Sequence, residues 1–148
     1  MADKGLDTTF LVVAEVAEHP GHPGARRLLE GFLREEARLV LAPQVLAEFV
    51  HVVTDSKRFS KPLTVEQALG RAEHWWRARE VAHAFPGDES STVFLQWMTE
   101  HGLGRKRLLD THLAATYWCA GVRAIVTTNV RDYAIFGCFD LIQPDGAD

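Results

Sequence analysis

Short apolar runs alternate along this chain with longer stretches in which apolar residues recur every three or four positions. That is the pattern of strands buried on both faces alternating with one-sided helices. Residues 4–6 predict a short strand that stops at Asp7, and residues 8–18 continue at helical spacing. The string HPGHPG at 19–24 predicts a loop, because each Pro-Gly pair marks a turn. Pro23 suits a first helical turn, and residues 25–36 carry Leu28, Leu29, Phe32 and Leu33 on one helical face. Residues 39–42 form an apolar stretch short enough for a buried strand, closed by Pro43. The helix after it presents Val45, Leu46, Phe49, Val50 and Val53. Residues 55–62 are polar and basic, a loop closed by Pro62.

The second half continues the alternation. Thr64 and Gln67 form a capping box for a helix running to about Arg79. Residues 80–85 predict a third strand ended by Pro86-Gly87. Ser90 or Ser91 is the expected cap of another helix, which Gly102 and Gly104 terminate. Asp110 is placed at the start of a helix over 111–119 that Gly121 stops. Residues 124–127 are β-rich and lead to a turn at Asn129, residues 141–143 predict a final edge strand, and residues 144–148 a frayed tail. No repeat, linker or low-complexity tract interrupts the pattern, which predicts a single α/β domain over 1–148 with a mostly parallel sheet.

Composition changes this picture little. The 148 residues suffice for one core, and an apolar fraction of 47% with 24% charged residues excludes disorder. The net charge of -4 offers nucleic acid no general attraction, so an RNA partner would need a local basic patch and a cation over any acidic site. Cys119 and Cys138 lack C-x-x-C spacing, which predicts reduced, packed thiols. No signal-like N-terminus and no apolar run near the ~20 residues that span a bilayer is found, so no membrane association and a cytoplasmic location are expected.

The candidate chemistry lies where strands hand over to helices, because an open parallel sheet builds its site at the carboxyl ends of its strands. Asp7, Glu48, Asp110 and Asn129 all fall there or just inside the following helix. Asp7 and Asp110 each have a plainer reading as helix caps, and Asn129 as a turn residue. Glu48 sits among Leu46, Phe49 and Val50, so its carboxylate is expected to need a cation or hydrogen bonds to remain charged. Asp132, three residues beyond Asn129, is either a helix-start charge or a fourth acid. Taken together the four have a shared use, since a hard cation such as Mg2+ takes oxygen ligands and one or two such ions suffice for phosphodiester hydrolysis.

The strings LDTTFLV at 6–12, PQVLAEFV at 43–50, LLDTHLAA at 108–115 and IVTTNVRDY at 125–133 resemble, in order and over essentially the whole chain, the PIN domain family. The likeness is greatest to the VapC-type toxin endoribonucleases of toxin–antitoxin pairs. It implies a PIN-like α/β/α sandwich with a central, mostly parallel four- to five-stranded sheet flanked by helices. It also implies that Asp7, Glu48 and Asp110 are the three acids of a metal site, with Asn129 at the family's fourth acidic position and Asp132 as its substitute. Thr8, Thr9 and Thr127 would steady the ligands by hydrogen bonding.

The remaining basic, histidine and aromatic groups each have a plainer role beside the functional one. Lys57 and Arg58, and Arg105 and Arg107 just before Asp110, are candidates for contacting RNA phosphates, against the alternative of a solvated basic face. His19 and His22 lie in a proline-broken loop without a cysteine partner, which argues against zinc. Trp75, Trp76, Trp97 and Trp118 are expected in the core or at a subunit contact, with base stacking as the alternative. Phe10, Leu11, Phe94 and the Trp75–Trp76 pair are candidates for a homodimer contact.

The expected function is therefore a Mg2+-dependent (or Mn2+-dependent), single-strand-selective endoribonuclease held in check by a cognate antitoxin. The alternative is a PIN-like protein that binds RNA or a partner without catalysis. A haloacid dehalogenase-type phosphatase is disfavoured, because Asp7-Thr8-Thr9 lacks the second acid of a D-x-D opening.

Overall fold

In the computed structural model, which describes residues 2–146, the alternation resolves into five strands and seven α-helices. They run β1 (Lys4–Leu6), α1 (Thr8–Glu15), α2 (His22–Arg34), β2 (Leu39–Leu41), α3 (Pro43–Val53), α4 (Val65–Arg77), β3 (Val81–His83), α5 (Asp88–Glu100), α6 (Leu108–Cys119), β4 (Ala124–Val126), α7 (Val130–Ala134) and β5 (Asp140–Ile142). The strands form one sheet in the order β3-β2-β1-β4-β5, with every neighbouring pair parallel. Helices flank it in a PIN-like α/β/α sandwich. One group packs from α1 to α2 and α3 and from α3 to α4, the other from α5 to α6 and from α6 to α7.

β1 lies at the centre, and the chain leaves it first toward β2 and later returns on its other side as β4. Such a reversal opens a crevice beyond the carboxyl ends of the strands. Two local features set its floor. Gly5 has no side chain because the ring of Tyr117 stands 2.8 Å from where a Cβ would be. The Tyr117 hydroxyl donates to the Leu6 carbonyl (2.6 Å) and accepts from the Ala42 amide (3.3 Å), tying the ends of β1 and β2 together just before Asp7. Burial in these surroundings pushes the Tyr117 phenol above its ordinary range, so it acts as a fixed donor.

Several expectations are corrected. Helix α2 begins at His22, so half of the expected loop is its first turn, with Pro23 tolerated there because its missing N–H costs nothing. Helix α5 begins at Asp88, and Ser90 is not its cap but a residue of its first turn that accepts from the Gly87 amide through Oγ (2.8 Å). A 3-10 turn at Arg105–Arg107 runs into α6, which places Asp110 inside the helix and not at its start.

Phe10 and Leu11 are fully buried within the chain and Trp75 nearly so, which removes them from any subunit contact. The tail is not frayed at residues 144–146: Pro144 is buried, and the Asp145 carbonyl lies against Gly24 of α2. The rest of the expected tail, residues 147–148, lies outside the described residues. Among the described residues no helix is long and apolar enough to cross a membrane.

Candidate active site

Asp7 leaves β1 in extended conformation and stands at the N-cap position of α1, yet its side chain makes no capping bond. Its Oδ2 accepts instead from Thr9 Oγ1 (2.8 Å) and Thr127 Oγ1 (2.7 Å), and its Oδ1 from the Tyr133 hydroxyl (2.8 Å). Each threonine hydroxyl has one proton and spends it on Asp7. The two oxygens, 3.3 Å apart, then accept from backbone: Thr9 Oγ1 from the Thr128 amide (3.0 Å), Thr127 Oγ1 from the Asn129 amide (2.9 Å). The buried carboxylate is thereby oriented by three elements, α1, the turn after β4, and α7. Thr8 is buried in the cleft wall beside Asp7, while the bonds to the carboxylate come from Thr9 and Thr127.

Asp110 is brought to the same place by α6. Burial first, then the charges of Asp7 and Asp132, a hydrogen bond with Asp132, and the charge of Glu48 push its carboxyl up to about 7. The Tyr133 hydroxyl lies 3.4 Å from Asp110 Oδ1, so this one phenol spans two acids. The same company, burial ahead of the Asp7 and Asp110 charges, pushes Tyr133 well above the ordinary phenol range.

Glu48, half-buried on α3, faces Asp7 and Asp110 across a cleft of about 400 Å³. Asn129 does not line that cleft. It is exposed and stands in an adjoining groove of about 650 Å³, which shares Thr8, Glu48, His51 and Leu109 with the first and adds Thr9, Arg58 and Thr128.

Like charges gathered in a partly desolvated site call for a cation, and an all-oxygen donor set of Asp7, Glu48, Asp110 and Asp132 suits a hard divalent ion. Among the described residues no group of three or more Asp, Glu, His or Cys side chains is placed to hold a metal ion directly. An ion that keeps much of its water shell does not require one.

The basic candidates separate. Lys57, Arg58 and Arg105 are exposed, and Arg58 lies at the groove with Asn129 while pairing with Asp55 at 3.4 Å. The loop that carries Lys57 and Arg58 is held to the segment after α1 by Glu18, which accepts from the Ser60 amide (3.1 Å) and hydroxyl (2.9 Å) and the Lys61 amide (2.9 Å). Arg107 is turned inward, with its guanidinium 3.9 Å from Asp132 Oδ1 and donating to the Asp132 carbonyl. It is a brace between α6 and α7 and not an open phosphate contact. The sequence alone assigns no role to Tyr133 or Gln44, and reads His112, two residues after Asp110, as a surface histidine with substrate contact as the alternative. Tyr133 stood inside a quoted motif, but only the fold shows that its hydroxyl reaches back to Asp7.

No protein-family model matches the chain. It is similar to ribonuclease VapC43 of Mycobacterium tuberculosis, with 29% identity over 110 residues, 74% of this chain and 75% of that protein. Ribonuclease VapC37 of the same organism is 28% identical over 112 residues, 76% of this chain and 78% of that protein. Among solved structures, VapC20 of Mycobacterium tuberculosis, a sarcin-ricin loop cleaving toxin, superposes with a TM-score of 0.63 at 15% identity, covering 82% of this chain and 86% of that one. A chain of VapBC2 from Rickettsia felis, bound to a promoter DNA fragment, gives 0.67 at 19% identity, covering 97% and 99%. At such identities the structural likeness speaks for the fold.

Proposed function

We propose that this chain, which has the fold of the VapC-type PIN proteins and resembles VapC ribonucleases in sequence, is a divalent-metal-dependent endoribonuclease and the toxin of a toxin–antitoxin pair. The observation that carries the reading is the convergence of Asp7, Glu48 and Asp110 on one cleft, with Asp132 beside Asp110. Relatives named as ribonucleases support it, as do structural neighbours solved as VapBC complexes.

Asp7, Glu48, Asp110 and Asp132 would hold Mg2+ or Mn2+. Such an ion, when bound, supplies a Lewis acid for the phosphate and a water acidic enough to attack at neutral pH. The chain's own residues do the rest. Thr9, Thr127 and Tyr133 fix the direction of the Asp7 carboxylate, so it is not reoriented during reaction. Asp110, whose carboxyl is pushed up to about 7 by burial and the neighbouring acids when no ion is bound, would give up that proton when the ion binds and serve as an ionised ligand. In-line attack by water would leave a 5′-phosphate and a 3′-hydroxyl.

Arg58 borders the adjoining groove and, with the exposed Lys57 next to it in sequence, would guide the backbone of a single strand. A cognate antitoxin would cover the acidic cleft with a basic side chain, and a homodimer is expected by likeness.

The test is cleavage of a mixed RNA pool by purified protein, with Mg2+ against EDTA and with Asp7→Asn. We expect metal-dependent cuts that the variant abolishes while its circular dichroism matches the parent. Cutting by Asp7→Asn at the parent rate would sink the assignment, and RNA retention without any cutting would favour the non-catalytic alternative.

A further inference from the structure

The carboxylates account for phosphate chemistry but leave half of the cleft unexplained. Besides Thr8 and His51, its remaining wall is made by Gln44, Val45, Ala47, Leu109, His112 and Leu113. A phosphate track has no use for such a surface. Leu109 in particular is 68% exposed right beside Asp110, where a large apolar side chain gains nothing from water.

Two polar groups in this wall, Gln44 and His112, are held in a defined state. The Thr116 hydroxyl donates to the His112 carbonyl (2.9 Å), so its oxygen is left to accept from Gln44 Nε2 (3.1 Å). That fixes which end of the amide is nitrogen. The same Nε2 lies 3.2 Å from His112 Nδ1, which must then accept, placing the imidazole proton on Nε2. Phe94 meets the imidazole edge-on, with centroids 5.5 Å apart at 82°, and holds the ring in place. Two consequences follow. Gln44 Oε1 is a buried acceptor with no hydrogen-bond partner among the described residues. His112 Nε2 is a donor with its orientation set from behind.

We propose that this wall is a nucleobase subsite, in which Gln44 and His112 read the base next to the bond that is cut. The inference rests on the ribonuclease reading above and names the part of the substrate that the cleft recognises. An unpartnered acceptor on Gln44 and a donor on His112, both on one wall of the cleft, complement the hydrogen-bonding edge of a base, which presents an N–H beside a lone pair. Val45, Leu109 and Leu113 offer apolar surface to the base's faces. In a duplex that edge is already paired, so the subsite admits an unpaired base and selects single strands. The volume of about 400 Å³ falls in the range of clefts that take one small ligand.

The first measurement is the base frequency at each position around the cut, read by end sequencing from a randomised single-stranded RNA. The parent is compared with Gln44→Leu, which keeps the side chain's bulk, and with His112→Phe. We expect a preference at one flanking position in the parent that falls about tenfold in both variants, with other positions unchanged. A parent preference that survives both substitutions, or no preference at all, overturns the subsite and leaves the ribonuclease reading standing. Absence of cutting by the parent overturns the ribonuclease reading instead.

The subsite is then judged separately by NMR titration of the metal-free parent with the four nucleoside 5′-monophosphates. Shifts of the His112 ring signals that Gln44→Leu abolishes support it, and silence with all four overturns it.

Discussion

Asp110 is held in its least comfortable form. Its carboxyl ordinarily ionises near 3.8, and burial together with Asp7, Asp132 and Glu48 raises that to about 7 in the fold. The folded state therefore binds this proton more tightly than the unfolded chain does. Stability from this group is fully present below about pH 4 and is lost as pH rises toward and through 7. A bound divalent cation reverses the penalty, since it favours the ionised carboxyl and displaces the proton.

Thermal melts should thus show a larger stabilisation by Mg2+ at pH 8 than at pH 5.5. Asp110→Asn should raise the metal-free melting temperature at pH 8 and flatten the pH dependence while cleavage is lost. Equal Mg2+ effects at the two pH values would contradict the electrostatic account. Little of this was legible beforehand, because an aspartate before or within a first helical turn is most simply read as a cap. What decides the matter is non-local: Thr127 and Tyr133 stand 120 and 126 residues from Asp7, whose carboxylate they orient beside Asp110.

Elements were easier to read than their ends. The capping box at Thr64–Gln67 was visible because both partners lie within one turn, and the structure shows both of its bonds. The start of α5 was misplaced because glycine carries no side chain that announces a cap, and the start of α6 because a 3-10 turn of three basic residues has no apolar spacing. Likewise, nothing near Gly24 signals that the chain's last segment returns to it. A Cβ on Gly24 would stand 1.8 Å from the Asp145 carbonyl oxygen, which is backbone and cannot rotate away.

Gly24→Ala should therefore displace residues 144–146 from α2 and cost about 1–3 kcal/mol in a denaturant titration. Gly31→Ala is the control on the same helix. Its Cβ would meet nothing within 4 Å, so removal of a flexible glycine should stabilise by roughly 0.5–1 kcal/mol. Destabilisation of the same size at both positions would mean that helix propensity, and not the packed tail, sets the effect.

For the molecule as a whole, the alternation of apolar runs and one-sided helices foretold a parallel sheet, because only strands covered on both faces can be apolar throughout. It did not foretell the order β3-β2-β1-β4-β5, which depends on the side to which each crossover turns. That order matters for charge, since it stacks the acids at one crevice in a chain already at -4. An RNA substrate, as proposed above, would approach against this field, and only cations open to solvent could help.

Arg58 is exposed beside the Asn129 groove, whereas Arg107 is engaged with Asp132. The two kinds of arginine should separate in a salt titration of single-stranded RNA binding, done with the cleavage-deficient Asp7→Asn protein. Neutralising Arg58 should lower the slope of log affinity against log salt by about 0.7, one phosphate contact, at unchanged stability. Neutralising Arg107 should leave the slope alone and lower the melting temperature, because it frees α7 and uncovers Asp132 beside Asp110. A slope lost at Arg107 and kept at Arg58 would place the strand along α6 and α7, away from the groove.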